Sequence, residues 1–378
     1  MYTEQEAKEL VILAGKKLLE SGLIARTWGN ISARISDTQF VITPSGKGYE
    51  TLLPDDIVVV NIADCTYEGN VKPSSEKGVH ADAYRLRENV NFVIHTHQIN
   101  ASAVSILGKD ITDLNRYGDC YEQVLGKMIP CAEYGLSSTE KLKKAVASQV
   151  QKHSDCSAIL MKHHGALCMG YDFDNAFAVS AALEEVCGKY YQDICHFEYK
   201  EKEQNSKYGN STRKGNEITF CCGDRNTTFN LQALTADLPP EARIHAAIYQ
   251  DKTINSIIHV QTPYIFAISE KGKTIRPYLD DQAQIAGVSV KCVHDNLGIV
   301  DKTVKALKSR NAVLLKNNGA ICTGGTLEDA EAVGMVLEKG AQAALLSQYD
   351  KNAKPVNRWD AFKERLFYVK SYSKLKNS

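Results

Sequence analysis

The chain has 378 residues, and its 45 Lys+Arg balance 45 Asp+Glu, so its formal charge at neutral pH is zero. That length suits two domains better than one, and the charge balance argues against nucleic acid or an anionic membrane as a bulk partner. Eleven cysteines without a CxxC pair, no basic-then-apolar leader over Met1–Glu6 and no apolar run of membrane-spanning length read together as reduced thiols in a cytoplasmic protein.

Thr3 to about Glu20 reads as a helix, opened by a Thr3/Glu6 capping box and carrying Ala7, Leu10, Val11, Ala14 and Leu18 on one face. Trp28–Arg34 reads as a turn entering a strand, and Gln39–Ile42 as a strand running into Thr43–Pro44–Ser45–Gly46–Lys47–Gly48. The glycines of that turn permit close backbone approach to a ligand, and Ser45 adds a hydroxyl. After a strand at Ile57–Ile62 comes Lys72–Pro73–Ser74–Ser75–Glu76, with Ser74 and Ser75 placed to cap a helix from about Glu76 to Leu86. Small polar residues at a helix N-terminus suit phosphate. Asn30, Ser45, Gly46, Ser74 and Ser75 are therefore the candidate anion cradle, and Glu76 beside them a candidate general base.

Phe92–Val93–Ile94 then delivers His95 and His97, which fall on one side of a strand. Helical patterns follow over Ala101–Leu107 and Thr139–His153, with a less regular stretch through Tyr117, Cys120 and Tyr121 between them. A second apolar run, Ala158–Met161, delivers His163–His164–Gly165. Three imidazoles converging from these two strand ends make a site suited to Zn²⁺ with one position open to substrate. His163 and His164 compete for the third place, since neighbours on a strand face opposite ways. His80, His153, His196, His245, His259 and His294 read as hydrogen-bonded structural histidines. A long helix from Phe173 to about Ile194 closes the first half.

The polar stretch around residues 204–214 reads as a linker between domains 1–203 and 215–378. The second half repeats the first. Glu76–Tyr84 matches Glu241–Tyr249, Ile94–His97 matches Ile258–Gln261, and Leu160–Ala166 matches Leu314–Ala320. Gln261 and Asn318 stand where two of the candidate ligands would be, and neutral amides are poor Zn²⁺ ligands. A second domain of the same fold without a metal is the expectation.

Gly29–Asn30–Ile31–Ser32, Thr43–Pro44–Ser45–Gly46, Ser74–Ser75–Glu76, His95–Thr96–His97 and His163–His164–Gly165 together resemble the class II aldolase/adducin family, over roughly Glu6–Gln192. The resemblance implies an α/β fold with a mostly antiparallel central sheet flanked by helices, here in two tandem copies. It implies Zn²⁺ on His95, His97 and His164 in the first domain only, phosphate contacts from Asn30, Ser45, Gly46, Ser74 and Ser75, and Glu76 as the catalytic carboxylate. It also implies proton-donating tyrosines: Tyr117 or Tyr121 matches one, and Lys207–Tyr208–Gly209 resembles a tail that carries another, with Tyr368 or Tyr372 as substitutes. The implied activity is cleavage or formation of a C–C bond in a short ketose phosphate resembling fuculose 1-phosphate. Alternatives on the same fold are a pentulose-phosphate 4-epimerase, whose members carry Asp where this chain has Glu76, a methylthioribulose-phosphate dehydratase, and a non-catalytic adducin-like scaffold. The family's fourfold ring suggests a homo-oligomer, with two tandem chains building a pseudo-fourfold ring, or one chain pairing its own two domains.

Overall fold

The computed structural model describes residues 1–24, 28–198 and 207–372, the side chains of 371 and 372 excepted. They divide into two compact units: Met1–His196 joined by Tyr349–Ala353, and Phe197–Gln348 resuming at Lys354.

In the first unit, helix α1 (Glu4–Glu20) starts on Thr3, whose hydroxyl accepts from the Glu6 N–H while Glu6 reaches back to the Thr3 N–H. Strands β1 (Asn30–Arg34), β2 (Gln39–Ile42) and β3 (Val58–Asn61) precede helix α2 (Lys77–Leu86), strand β4 (Phe92–Thr96) and helices α3 (Ile99–Ser105) and α4 (Tyr121–Leu125). Strand β5 (Cys131–Ala132), helix α5 (Glu140–Lys152), strands β6 (Ala158–Met161) and β7 (Gly165–Gly170) and helix α6 (Phe173–Cys195) complete it. The sheet order is β3-β2-β1-β4-β7-β6-β5, antiparallel throughout except for the β5–β6 pair.

Strands β1, β4, β6 and β7 are buried along their whole length; β4, β6 and β7 accordingly read as near-continuous apolar runs, while β1 buries Asn30, Ser32 and Arg34 among its apolar residues. The two-residue period then assigns their side chains. Val93 packs with Val79 and Tyr84 of α2 and with Leu142 and Val146 of α5, while Phe92 meets Phe173 of α6 edge-on at 5.6 Å. His95, two residues beyond Val93, therefore belongs to the side of the sheet that α2 covers.

The second unit repeats this plan. Strands β8 (Asn210–Lys214), β9 (Glu217–Cys222) and β10 (Arg225–Asn230) lead to helix α7 (Pro240–Ile248), strand β11 (Ser256–Val260) and helix α8 (Pro263–Glu270). Strand β12 (Lys291–Val293), helix α9 (Ile299–Leu307), strands β13 (Ala312–Leu315) and β14 (Ala320–Gly324) and helices α10 (Leu327–Leu346) and α11 (Arg358–Phe367) follow. The order β10-β9-β8-β11-β14-β13-β12 is that of the first sheet, position for position. The proposed linker is corrected here. Its residues 204–206 lie outside the described residues, but Asn210–Lys214 is a sheet strand paired with both β9 and β11. It reads as polar because its side chains are mostly exposed, and only Ser211 is buried. The loop that carries Thr43–Gly48 in the first unit has no counterpart, since β9 turns into β10 through Gly223–Asp224.

All eleven cysteines are free thiols. No described helix is long and apolar enough to cross a membrane.

Each unit buries one histidine in its core at the same place. His80 and His245 are fully buried, and burial pushes both imidazoles down to about 3. At pH 5 the unfolded chain protonates these rings and the folded chain does not, so acid favours unfolding by about 2 kcal/mol per ring. Urea denaturation at pH 7 and pH 5 should show that loss, and His245→Gln should remove its share of the pH dependence whatever it does to stability at pH 7. An unchanged slope in the variant would mean that the ring titrates normally in place.

Candidate metal centre and active site

Gly29 opens the site. Its φ is +106° and a Cβ there would sit 2.4 Å from the His95 carbonyl, so only glycine lets the chain enter β1 against β4. Across that pairing Asn30 lies opposite His95.

His95 projects from β4, and His97 follows just past the strand's end. The β6–β7 turn supplies the third ring. His163 takes a left-handed conformation (φ +62°) there, and its ring goes to Tyr134 at 5.4 Å. His164 comes round to face the other two, its ring 5.1 Å from His95 and 4.7 Å from His97. Gly165 lets this turn close, since a Cβ would stand 2.2 Å from the Thr96 carbonyl. Among the described residues, His95, His97 and His164 form one group able to hold a metal ion, with ligand atoms within 4.8 Å of one another.

The donor chemistry fits a divalent cation. His95 Nδ1 bonds the Ala166 carbonyl at 2.8 Å, which leaves its Nε2 as the lone-pair nitrogen. That Nε2 is 3.1 Å from His97 Nε2, close to the ~3.3 Å expected for two imidazoles on one tetrahedral zinc. Ser137 Oγ lies 3.4 Å from His164 Nδ1, on the far side of that ring.

Glu76 completes the cluster from the first position before α2. Its carboxylate oxygens lie 3.1 Å from His95 Nε2 and 3.1 Å from His164 Nε2. Burial alone would raise its pKa, but the His164 and His95 imidazoles outweigh that and hold it well below the usual carboxylate range. Glu76 itself, not a serine, occupies the N-cap position, and no side chain caps the helix. The capping role expected for Ser74 and Ser75 is corrected accordingly: Ser74 Oγ accepts from the Glu76 N–H at 3.3 Å instead.

The turns expected to hold an anion are brought together by backbone. The Ser45 N–H donates to the Lys72 carbonyl at 2.9 Å and the Ser74 N–H to the Thr43 carbonyl at 3.0 Å, so Ser45 and Gly46 run alongside Ser74. Ser138 donates to Ser75 across 2.8 Å. A cavity of about 200 Å³ opens here, lined in part by Ser75, Glu76, Lys77, Ser138 and Lys143. Ser137 and Ser138 escaped the sequence reading. The small polar run before α5 was their signal, but it resembled an ordinary helix cap.

The tyrosines go elsewhere. Tyr117 bonds Asp193 through its hydroxyl, and Lys189 donates to the Tyr121 hydroxyl at 2.9 Å, so both are tied to α6. Tyr208 is corrected from a linker residue to a core residue of the second unit. It is 1% exposed, its hydroxyl faces Asp295 and its ring lies 5.4 Å from His259. Tyr368 lies under the Arg365 guanidinium at 5.9 Å, and the side chain of Tyr372 is outside the described residues.

At the matching place in the second unit, His259 Nε2 bonds the Asn318 carbonyl at 2.5 Å. Asn317 repeats the left-handed turn of His163 with φ +60°, and Gly319 repeats the close approach, 2.2 Å from the Val260 carbonyl. The turn geometry is therefore common to both copies, and the three imidazoles belong to the first alone.

The Class II Aldolase and Adducin N-terminal domain family matches residues 9–191 and again 226–345. The chain belongs to this family. It is a tandem class II aldolase chain whose first unit carries the histidine cluster. A 5-deoxy-D-ribulose 1-phosphate aldolase of Bacillus thuringiensis is 33% identical to it over 189 residues, 50% of this chain and 85% of that protein. Similar solved structures include an L-fuculose 1-phosphate aldolase, at 29% identity over 51% of this chain and 88% of that one with a TM-score of 0.47. The L-fuculose-1-phosphate aldolase of Thermus thermophilus is 27% identical over 49% and 92%, with a TM-score of 0.42.

Proposed function

We propose that the first unit of this class II aldolase chain is a zinc-dependent aldehyde-lyase that splits a short ketose 1-phosphate into dihydroxyacetone phosphate and an aldehyde. One observation carries this reading: His95, His97 and His164 share a ligand-sized space with a buried carboxylate, which also borders a cavity that Ser75, Ser138, Lys77 and Lys143 help to line. The similarity to a 5-deoxy-D-ribulose 1-phosphate aldolase supports a five- or six-carbon deoxyketose phosphate.

A cation held by the three histidines supplies positive charge where negative charge builds on the substrate carbonyl oxygen. The remaining work falls to side chains. Ser45, Gly46, Ser74 and Ser75 hold the phosphate, and Ser75 also lines the cavity that carries Lys77 and Lys143, so that C3 is fixed before the bond breaks. In cleavage the C4 hydroxyl passes its proton to the Glu76 carboxylate while the C3–C4 electron pair moves into the carbonyl and the aldehyde leaves. Glu76 then delivers that proton to C3; in condensation it removes the C3 proton and returns it to the new hydroxyl. A carboxylate suits both directions because it takes up a proton in one step and returns it in the next. The second unit, with His259 closed onto Asn318, serves architecture in this reading.

The test is a retro-aldol screen of ketose 1-phosphates with and without chelator, following release of dihydroxyacetone phosphate. Chelator-sensitive cleavage of a deoxyketose 1-phosphate is the expected outcome. Epimerised product without cleavage, or loss of water, would move the chain to the other reactions of the fold.

A further inference from the structure

Asn30, a candidate for the phosphate cradle, has its amide engaged from both sides within the protein. Its Nδ2 donates to Glu76 Oε2 at 3.3 Å, and its Oδ1 accepts from His80 Nε2. His80 Nδ1 in turn faces Ser32 Oγ at 2.6 Å, and Ser32 Oγ faces the Tyr84 hydroxyl at 2.7 Å. Every member is buried. One donor pattern satisfies the whole chain: Tyr84 O–H to Ser32, Ser32 O–H to His80 Nδ1, His80 Nε2–H to Asn30, and Asn30 N–H to the carboxylate. Since burial keeps the His80 ring neutral, it has one N–H to give, and the direction of that bond sets the orientation of the amide.

The second unit separates framework from function. Ser211 Oγ bonds His245 Nδ1 at 2.7 Å and the Tyr249 hydroxyl at 2.8 Å, which reproduces the inner part of the chain. Strand register equates Ser32, opposite Val93, with Ser211, opposite Ile257. Two residues back from Ser211 stands Gly209, where a Cβ would lie 2.4 Å from the Cys221 carbonyl, so no side-chain amide extends the arm beyond His245, whose far nitrogen faces the Tyr208 backbone. The Tyr–Ser–His arm is thus part of the fold in both copies. The amide that extends it to a carboxylate occurs only beside the histidine cluster.

We propose that Asn30 is a positioning residue that holds the Glu76 carboxylate toward C3 of the substrate, and that the buried Tyr84–Ser32–His80 arm fixes the amide which does so. This rests on the aldolase reading given above. An unpositioned Glu76 would keep its charge but sample orientations that miss C3, so the loss belongs in kcat and not in binding.

Asn30→Ala should lower kcat roughly 10- to 100-fold, the size of one charge-assisted hydrogen bond. KM and the inhibition constant for inorganic phosphate should stay within about twofold, because uniform binding is untouched. A raised KM and weakened phosphate inhibition with kcat preserved would overturn the proposal and return Asn30 to the phosphate cradle. His80→Asn and His245→Asn should destabilise their units alike, but only His80→Asn should reduce kcat; equal kcat in both would remove the arm from the proposal. A measurement independent of turnover covers a wild-type chain inactive on every ketose phosphate, which would sink the aldolase reading alone. With histidine ring nitrogens labelled, Glu76→Gln should shift His80 Nε2 in the NMR spectrum, and Asn30→Ala should abolish that response. The same shift in the Asn30→Ala background would show that the amide does not connect the two.

Discussion

His95→Ala should strip the chain of bound metal and lower turnover on the order of 10³-fold or more, the scale of losing the charge that stabilises a developing oxyanion. His95 is the ring whose removal does most damage. It contacts His97, stacks on His164 and faces Glu76, and its Nδ1 bond to the Ala166 carbonyl presets the nitrogen that binds. The internal control is His259→Ala. That position occupies the same strand place, but its ring is committed to the Asn318 carbonyl, and Gln261 and Asn318 replace the other two imidazoles. Its loss should cost the second unit about 1–3 kcal/mol for the broken buried bond while metal content and kcat stay at wild-type levels. Metal analysis of the purified variants by plasma mass spectrometry, alongside steady-state rates, decides the matter. Equal loss of metal in both would mean two working sites and would contradict the single cluster of the first unit.

Glu76→Gln should keep the metal and lose the reaction. Glutamine has the same shape and lacks the charge, so the three histidines still converge while the group that moves the C3 proton is gone. A positioned general base accounts for roughly 10²–10⁴-fold in rate, which is the fall expected in kcat. KM should change little, since the proposed phosphate contacts are Ser45, Gly46, Ser74 and Ser75. The sharpest measurement is washout of label from C3 of dihydroxyacetone phosphate in the absence of aldehyde, which isolates proton removal from C–C chemistry. Wild-type chain should exchange that proton and Glu76→Gln should not. Exchange at the wild-type rate in the variant would assign the base elsewhere and leave Glu76 as a companion of the metal ligands.

The two variants probe different parts of what the sequence revealed. Apolar runs ending in His95–Thr96–His97 and in His163–His164–Gly165 were readable because β4 and β6 are covered and mostly apolar, so polar residues at their ends stand out. The repeat was readable for the same reason, as was the missing pair of ligands in its second copy. Position along the chain could not choose between His163 and His164, because the residues form a turn and not a strand. The left-handed φ of His163 made that choice.

Other readings failed where local composition has two explanations. Asn210–Lys214 is as polar as a linker, and only its pairing with β9 and β11 shows a strand. Tyr208 resembles a tail residue by analogy and is a buried core residue in fact.

By itself, the sequence determined the tandem fold, the candidate histidines and the asymmetry between the halves, since hydrophobic period and residue type act locally and leave a linear trace. Tertiary structure alone decided what touches Glu76. Asn30 reaches it from 46 positions away and is itself held by His80, 50 positions away. Hydrogen bonds between distant buried side chains depend on how strand register and helix placement bring them together, which no local pattern records.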